Sequence, residues 1–82
     1  MTESVFSSDY RLFREHLIAK RRSCSLTQAQ VAERLKKPQS FVSKYESGER
    51  RLDLIEFLRI CEAFECDPVT QLTEILKIIR SQ

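Results

Sequence analysis

Apolar positions along the 82-residue chain recur at three- and four-residue spacing in five separate stretches, the period of helices that each bury one face. Tyr10, Phe13, Leu17 and Ile18 define the first stretch, which is predicted as a helix from an Asp9 N-cap to about Ser23. Residues 1–8 read as a short polar arm, in which Val5 and Phe6 either fold back onto that helix or touch a partner. Thr27 followed by Gln30 forms a capping box, so Gln28 opens a second helix whose apolar face is Val31, Ala32 and Leu35. Lys36-Lys37-Pro38 interrupts it, because proline disfavours helical geometry in the residue before it. A third helix is expected from Gln39 to Ser47, with Val42 and Tyr45 pointing inward and Gly48 supplying the left-handed residue that ends it. Glu49-Arg50-Arg51-Leu52 is then a loop. Asp53 and Glu56 make a second capping box for a fourth helix with Leu54, Phe57, Ile60, Cys61 and Phe64 on its buried face and Leu58 at the margin. This helix should stop near Phe64-Glu65-Cys66. Asp67-Pro68, a cap followed by proline in the first helical position, restarts the chain as a fifth helix over about 68–80. One glycine, two prolines and the lack of β-branched alternation make the domain all-α.

The fifth helix carries more apolar surface than one small core can cover. Val69, Leu72, Ile75, Leu76, Ile78 and Ile79 fall within it. The expectation is that Leu72, Leu76 and Ile79 face the core. Ile75 and Ile78 then form an edge that Val69 and Leu72 extend. An exposed aliphatic strip marks a partner, and a two-fold axis would cover it with its own copy. Val69, Leu72, Ile75 and Ile78 are therefore the expected dimer interface. The alternative is a helix that wraps the core of a monomer.

Composition adds little until charge is mapped. Net charge is only +2, but residues 11–51 hold eleven Lys and Arg against four Glu, whereas residues 53–82 hold three against six acidic side chains. A basic front and a mildly acidic back suit a chain that presents one face to a polyanion. Cys24, Cys61 and Cys66 are odd in number and lack the spacing of a zinc site, as does the lone His16. No metal and no cofactor is expected, and Cys61 reads as a small core hydrophobe. Neither a secretory leader nor an apolar run of spanning length is apparent, so no membrane is expected and the cytoplasm is the expected location. No phosphate loop and no nucleophile–base pair is present, so the chain does not read as an enzyme. Glu46, Glu49 and Glu56 read as helix ends and caps rather than a magnesium site.

The ordered set Leu26-Thr27-Gln28, Val31-Ala32, Leu35, Gln39-Ser40, Val42-Ser43-Lys44, Tyr45-Glu46, Gly48, Arg50-Arg51 and Leu52-Asp53, continuing into Phe57, Ile60-Cys61 and Phe64, resembles the helix-turn-helix of the Cro/cI-like (Xre) family of bacterial and phage regulators. It covers roughly residues 10–72. Ser25 and Glu65 depart from it, standing where the family often has glycine. The resemblance implies a five-helix, lambda-repressor-like domain over residues 9–82 that binds double-stranded DNA as a homodimer on a palindromic operator and regulates transcription, most simply as a repressor.

The third helix would then enter the major groove, with Ser40, Ser43, Lys44 and Ser47 opposite its buried face. Gln39 and Ser40 at its leading end are expected base readers, glutamine being able to bond adenine bidentately. Lys44 would take either a guanine or a phosphate, and Ser43 is a weaker base contact between them. Phe41 is either a rim core residue or an apolar contact to a thymine methyl. The resemblance assigns Gln28 to a backbone phosphate and to bracing the first residue of the recognition helix. Arg50 and Arg51 are expected phosphate contacts in the following loop. Arg21 matches a family arginine expected to pair internally, with Glu46 as its candidate partner, whereas Arg11 and Arg14 are expected only to keep the first helix soluble. Within the same class, an antitoxin paired with a toxin, or a restriction-modification controller touching RNA polymerase, would share these features. From a different class, the same fold would serve as a protein-interaction adaptor that has lost DNA binding.

Overall fold

A computed structural model describes the backbone of residues 2–82 and the side chains of residues 8–82. Five helices follow in order: α1 (Thr2–Ser23), α2 (Gln28–Leu35), α3 (Gln39–Ser47), α4 (Leu54–Phe64) and α5 (Pro68–Arg80). Among the described residues there is no strand, and no helix is long and apolar enough to cross a membrane.

The predicted caps form. Thr27 Oγ1 accepts from the Gln30 N–H while Gln30 Oε1 accepts from the Thr27 N–H. Asp53 and Glu56 do the same at α4. Asp67 Oδ2 accepts from the Thr70 N–H, with Pro68 in the first turn of α5. The helix ends are less ordinary. Ser25, Lys36 and Glu65 all adopt left-handed φ, at 59°, 58° and 58°. Each closes its helix with paired reverse bonds, such as Lys36 N–H to Glu33 O and Lys37 N–H to Ala32 O, the geometry that glycine usually serves. Lys36 shows that α2 ends by this device before Pro38 acts. Gly48, at φ 91°, is the one position where the left-handed residue is glycine. A Cβ there would also lie 3.3 Å from Arg14 Nε.

Leu17, Val31, Val42, Tyr45, Phe57, Ile60, Cys61, Phe64 and Ile75 form one core to which every helix contributes. Phe13 stacks on Phe57 with centroids 5.7 Å apart, extending the core along α1. Cys61 is fully buried, as expected, and burial pushes its thiol pKa up to about 12; a thiol held protonated is a poor nucleophile and a poor metal ligand.

Three expectations need correction. First, α1 begins at Thr2, so residues 2–8 join the helix and Asp9 lies inside it rather than capping it. No glycine or proline separates them from the amphipathic stretch, so nothing stops the helix from extending backward. The role expected of Val5 and Phe6 falls outside the described side chains. Second, Leu54 is 63% exposed. Leu52, from the preceding loop, packs against the core instead, because α4 starts only after the chain has turned past it. Third, α5 is rotated from the expected setting. Ile75 is 6% exposed and Gln71 3%, while Leu72 and Leu76 are 46% and 45% exposed. A polar pair accompanies this rotation: His16 Nε2 on α1 donates to Gln71 Oε1 at 2.7 Å. With Gln71 turned inward this hydrogen bond satisfies its buried oxygen, and Ile75 enters the core one turn later while Leu72 and Leu76 face out.

Candidate nucleic-acid interface

α3 presents two faces. Val42, Tyr45 and Glu46 are buried beneath it, while Gln39, Ser40, Lys44 and Ser47 are exposed and Ser43 is half-buried beside them. The helix is anchored from below by charge. Arg21 on α1 donates through Nε to Glu46 Oε2 at 2.6 Å and through Nη2 to Oε1 at 3.1 Å. Arg21 and Glu46 are 9% and 7% exposed, so this is a bidentate pair of the strong kind. The hydrogen bond to Glu46 raises the Arg21 pKa above its ordinary value. Arg21 also donates to Leu26 O, tying α3 to the α1–α2 turn.

Gln28 completes this anchor in a way the sequence did not indicate. Its Nε2 donates to Glu46 Oε1 at 2.9 Å, bracing the last turn of α3 rather than its first residue. An amide nitrogen carries two protons, so one remains for an acceptor in solvent. Arg14 is more than the solubiliser its sequence suggests. Its Nη1 donates to Glu46 O at 2.9 Å, satisfying a carbonyl in the last turn of α3. Its spacing one turn before Leu17 was the available signal, since that places it on the packed side of α1. Arg11 does stay on the surface, paired with Glu15 at 3.1 Å.

The loop after α3 separates two residues that the sequence treats alike. Arg50 donates to both carboxylate oxygens of Glu56, at 2.9 and 2.6 Å, and its guanidinium lies 4.8 Å over the Phe41 ring. It is a brace between the loop and α4, its charge already matched. The Arg50 guanidinium and the Asp53 N–H hold the Glu56 carboxyl below its ordinary range. Arg51 has no carboxylate partner among the described residues; its guanidinium stacks 4.3 Å over the Tyr10 ring. Phe41 packs edge-on against Tyr45 at 5.6 Å and belongs to the rim of the core, under Arg50 and Lys37. Gln39, Ser40, Ser43 and Lys44 thus line the outward side of α3 with open donors or acceptors, while Gln28 on α2 keeps its second amide proton and Arg51 in the following loop keeps donors without a carboxylate partner among the described residues.

The helix-turn-helix family model matches residues 17–71. An XRE-family like protein from Pseudomonas syringae pv. tomato str. DC3000 superposes with a TM-score of 0.88 at 38% identity, covering 94% of each chain. The chain belongs to the XRE family of helix-turn-helix regulators. The restriction-modification controller protein C.AhdI from Aeromonas hydrophila is also similar, with a TM-score of 0.71 at 25% identity over 78% of this chain and 97% of its own. Among curated proteins, none matches the chain in sequence. The expected five-helix fold and the DNA-binding class of regulator therefore hold. In this XRE-family chain the two helices of the motif are α2 and α3, and the glycine often found before α2 and after α4 is replaced by left-handed Ser25 and Glu65.

Of the expected dimer residues, Val69 and Leu72 are exposed, Ile78 is half-buried and Ile75 belongs to the core. The exposed apolar row on α5 is instead Val69, Leu72 and Leu76. On α4, which packs beside α5, Leu54 and Leu58 lie one turn apart and are 63% and 38% exposed.

Proposed function

We propose that the chain binds duplex DNA sequence-specifically as a homodimer and represses transcription by occluding a promoter. The observation that carries this reading is the mounting of α3: a buried bidentate ion pair beneath it, and Gln39, Ser40 and Lys44 exposed on the opposite face. Gln39 and Ser40 lie at the leading end, where recognition helices reach base edges. Lys44 follows Ser40 by one turn and reads a guanine. Gln28 and Arg51 contact phosphates, while Arg50 acts through Glu56 and Phe41 rather than on the DNA. Selection of bound duplexes from a random pool tests the reading. A palindrome with half-sites about one helical turn apart is expected, and enrichment of no sequence refutes it. Lys44→Ala should then cost about 1–3 kcal/mol at one base pair and relax preference there. Arg51→Ala should weaken all duplexes alike and lower the salt slope by about one.

The dimer surface in this reading is the exposed row Val69, Leu72 and Leu76 of α5. Each large aliphatic side chain fully buried there stabilises the pair by about 1.5–3 kcal/mol. Leu72→Glu with Leu76→Lys should give a folded monomer by sedimentation, with operator affinity falling steeply. A wild-type chain that sediments as a monomer at high micromolar concentration refutes the interface. Similarity to C.AhdI favours a second reading, a restriction-modification controller. Transcription from a promoter carrying the selected site separates the two: it falls with added protein for a repressor and rises for an activating controller.

A further inference from the structure

The loop that carries Arg51 is not free to move with it. Tyr10, on α1, holds it in two ways. Its hydroxyl oxygen accepts from the Leu52 N–H at 3.0 Å, and its ring lies under the Arg51 guanidinium at 4.3 Å. The ring is itself supported, since Tyr10 packs on Phe13 at 5.3 Å and Phe13 on Phe57 at 5.7 Å. One turn along α1, Arg14 fixes the start of the same loop through Glu46 O and its approach to Gly48. Between these points, Arg50 ties the loop to Glu56 on α4. A line of contacts therefore runs from the core, through two aromatic rings, to a guanidinium in the loop that follows the recognition helix.

We propose that Tyr10 is a positioning residue for DNA binding, presetting Arg51 for the phosphate backbone and holding its loop in register with α3. The inference rests on the DNA-binding reading above. A flexible arginine loses rotamer freedom when it is fixed on a phosphate; one already held over an aromatic face loses less. A basic side chain in an exposed loop thereby becomes a directed contact. Tyr10 itself touches no DNA in this arrangement, and its effect passes through Arg51.

A double-mutant cycle between Tyr10→Leu and Arg51→Ala tests this, with affinity for the selected duplex as the readout and urea stability followed in parallel. Tyr10→Leu should weaken binding about two- to fivefold in the wild-type background, the scale of one exposed cation–π contact. In the Arg51→Ala background it should change affinity by much less. Tyr10→Phe, which keeps the ring and loses the hydroxyl, should retain most of the coupling to Arg51. A second measurement needs only folded protein: by nuclear magnetic resonance, the Arg51 side-chain protons should be shifted upfield by the ring, remain so in Tyr10→Phe, and move downfield in Tyr10→Leu. Equal loss in both backgrounds, or unshifted Arg51 protons in the wild type, overturns the proposal. If the wild type binds its duplex and Arg51→Ala binds equally well, the proposal falls while the DNA-binding reading stands. If the wild type binds no duplex, both fall.

Discussion

Removing the Glu46 carboxylate should be the most damaging single change beneath the recognition helix. Glu46 is 7% exposed, and it accepts two hydrogen bonds from Arg21 and one from Gln28. Glu46→Ala leaves the Arg21 guanidinium in place, 9% exposed, with Leu26 O as its remaining acceptor. Stranding one member of a buried ion pair costs about 3–5 kcal/mol. At about 0.05–0.15 kcal/mol per residue, a domain of this length has roughly 4–12 kcal/mol to lose, so the variant should lose from about a quarter to all of its stability. Arg21→Ala should cost a similar amount by stranding Glu46. The double variant Arg21→Met, Glu46→Leu removes both charges while keeping apolar volume and should return to within about 1–2 kcal/mol of wild type, because a buried pair barely repays its own desolvation. Urea unfolding followed by far-ultraviolet circular dichroism measures all of these, with a constant m-value required for the comparison. The double variant should nevertheless bind DNA worse than its stability suggests, since Gln28 loses its acceptor and α3 its fixed rotation. If Glu46→Ala costs under about 1 kcal/mol, or if the single effects simply add in the double variant, the pair is hydrated and does not anchor the helix.

The Tyr45 hydroxyl is buried without a hydrogen-bond partner, and burial raises its pKa. Tyr45→Phe should therefore be neutral or stabilising by up to about 1 kcal/mol in urea unfolding, and a loss above that would show that the hydroxyl is satisfied. Glu56 has a folded pKa below its unfolded value, held there by Arg50 and then by the Asp53 N–H. Its contribution to stability is thus complete above about pH 4.5 and is lost as pH falls through the lower folded value; Glu56→Gln should flatten stability against pH in that acid window, as read by urea midpoints from pH 2 to 6. Ser25 sits at φ 59° with its side chain exposed, a conformation costing a non-glycine residue about 1–2 kcal/mol. Ser25→Gly should raise stability by about 0.5–1 kcal/mol after glycine's entropic cost, and a fall would mean that the serine backbone is relaxed.

Most of the fold was legible because its signals are local. Thr27–Gln30, Asp53–Glu56 and Asp67-Pro68 each declare a helix start within four residues, and all three caps form. Gly48 declares the end of α3 in the same way. The start of α1 is not marked in the sequence: Asp9 is a good cap in isolation, while the helical tolerance of the residues before it carries no signal. The pairing of Arg21 with Glu46 was available from the family resemblance. The different settings of Arg50 and Arg51 were not: neighbouring arginines look alike until the fold puts Glu56 beside one and Tyr10 beside the other.

α5 shows why apolarity alone cannot set the rotation of a helix. With Val69, Leu72, Ile75, Leu76, Ile78 and Ile79 on one helix, several orientations bury similar area, and the hydrophobic effect, being non-directional, chooses weakly among them. A directional polar contact that only one orientation can make then weighs in the choice. Gln71 has a donor pair and an acceptor, and His16 on α1 supplies a proton at 2.7 Å to its oxygen. Glu74 lies 3.7 Å from the same imidazole nitrogen at the solvent edge. Once Gln71 faces α1, Ile75 must enter the core, and Val69, Leu72 and Leu76 turn outward together. A polar contact between α1 and α5 thereby accompanies the exposure of one particular aliphatic row, Val69, Leu72 and Leu76. The same contact makes Ile75 a core residue, so a charge placed there would unfold the domain, whereas charges at Leu72 and Leu76 address the exposed row alone.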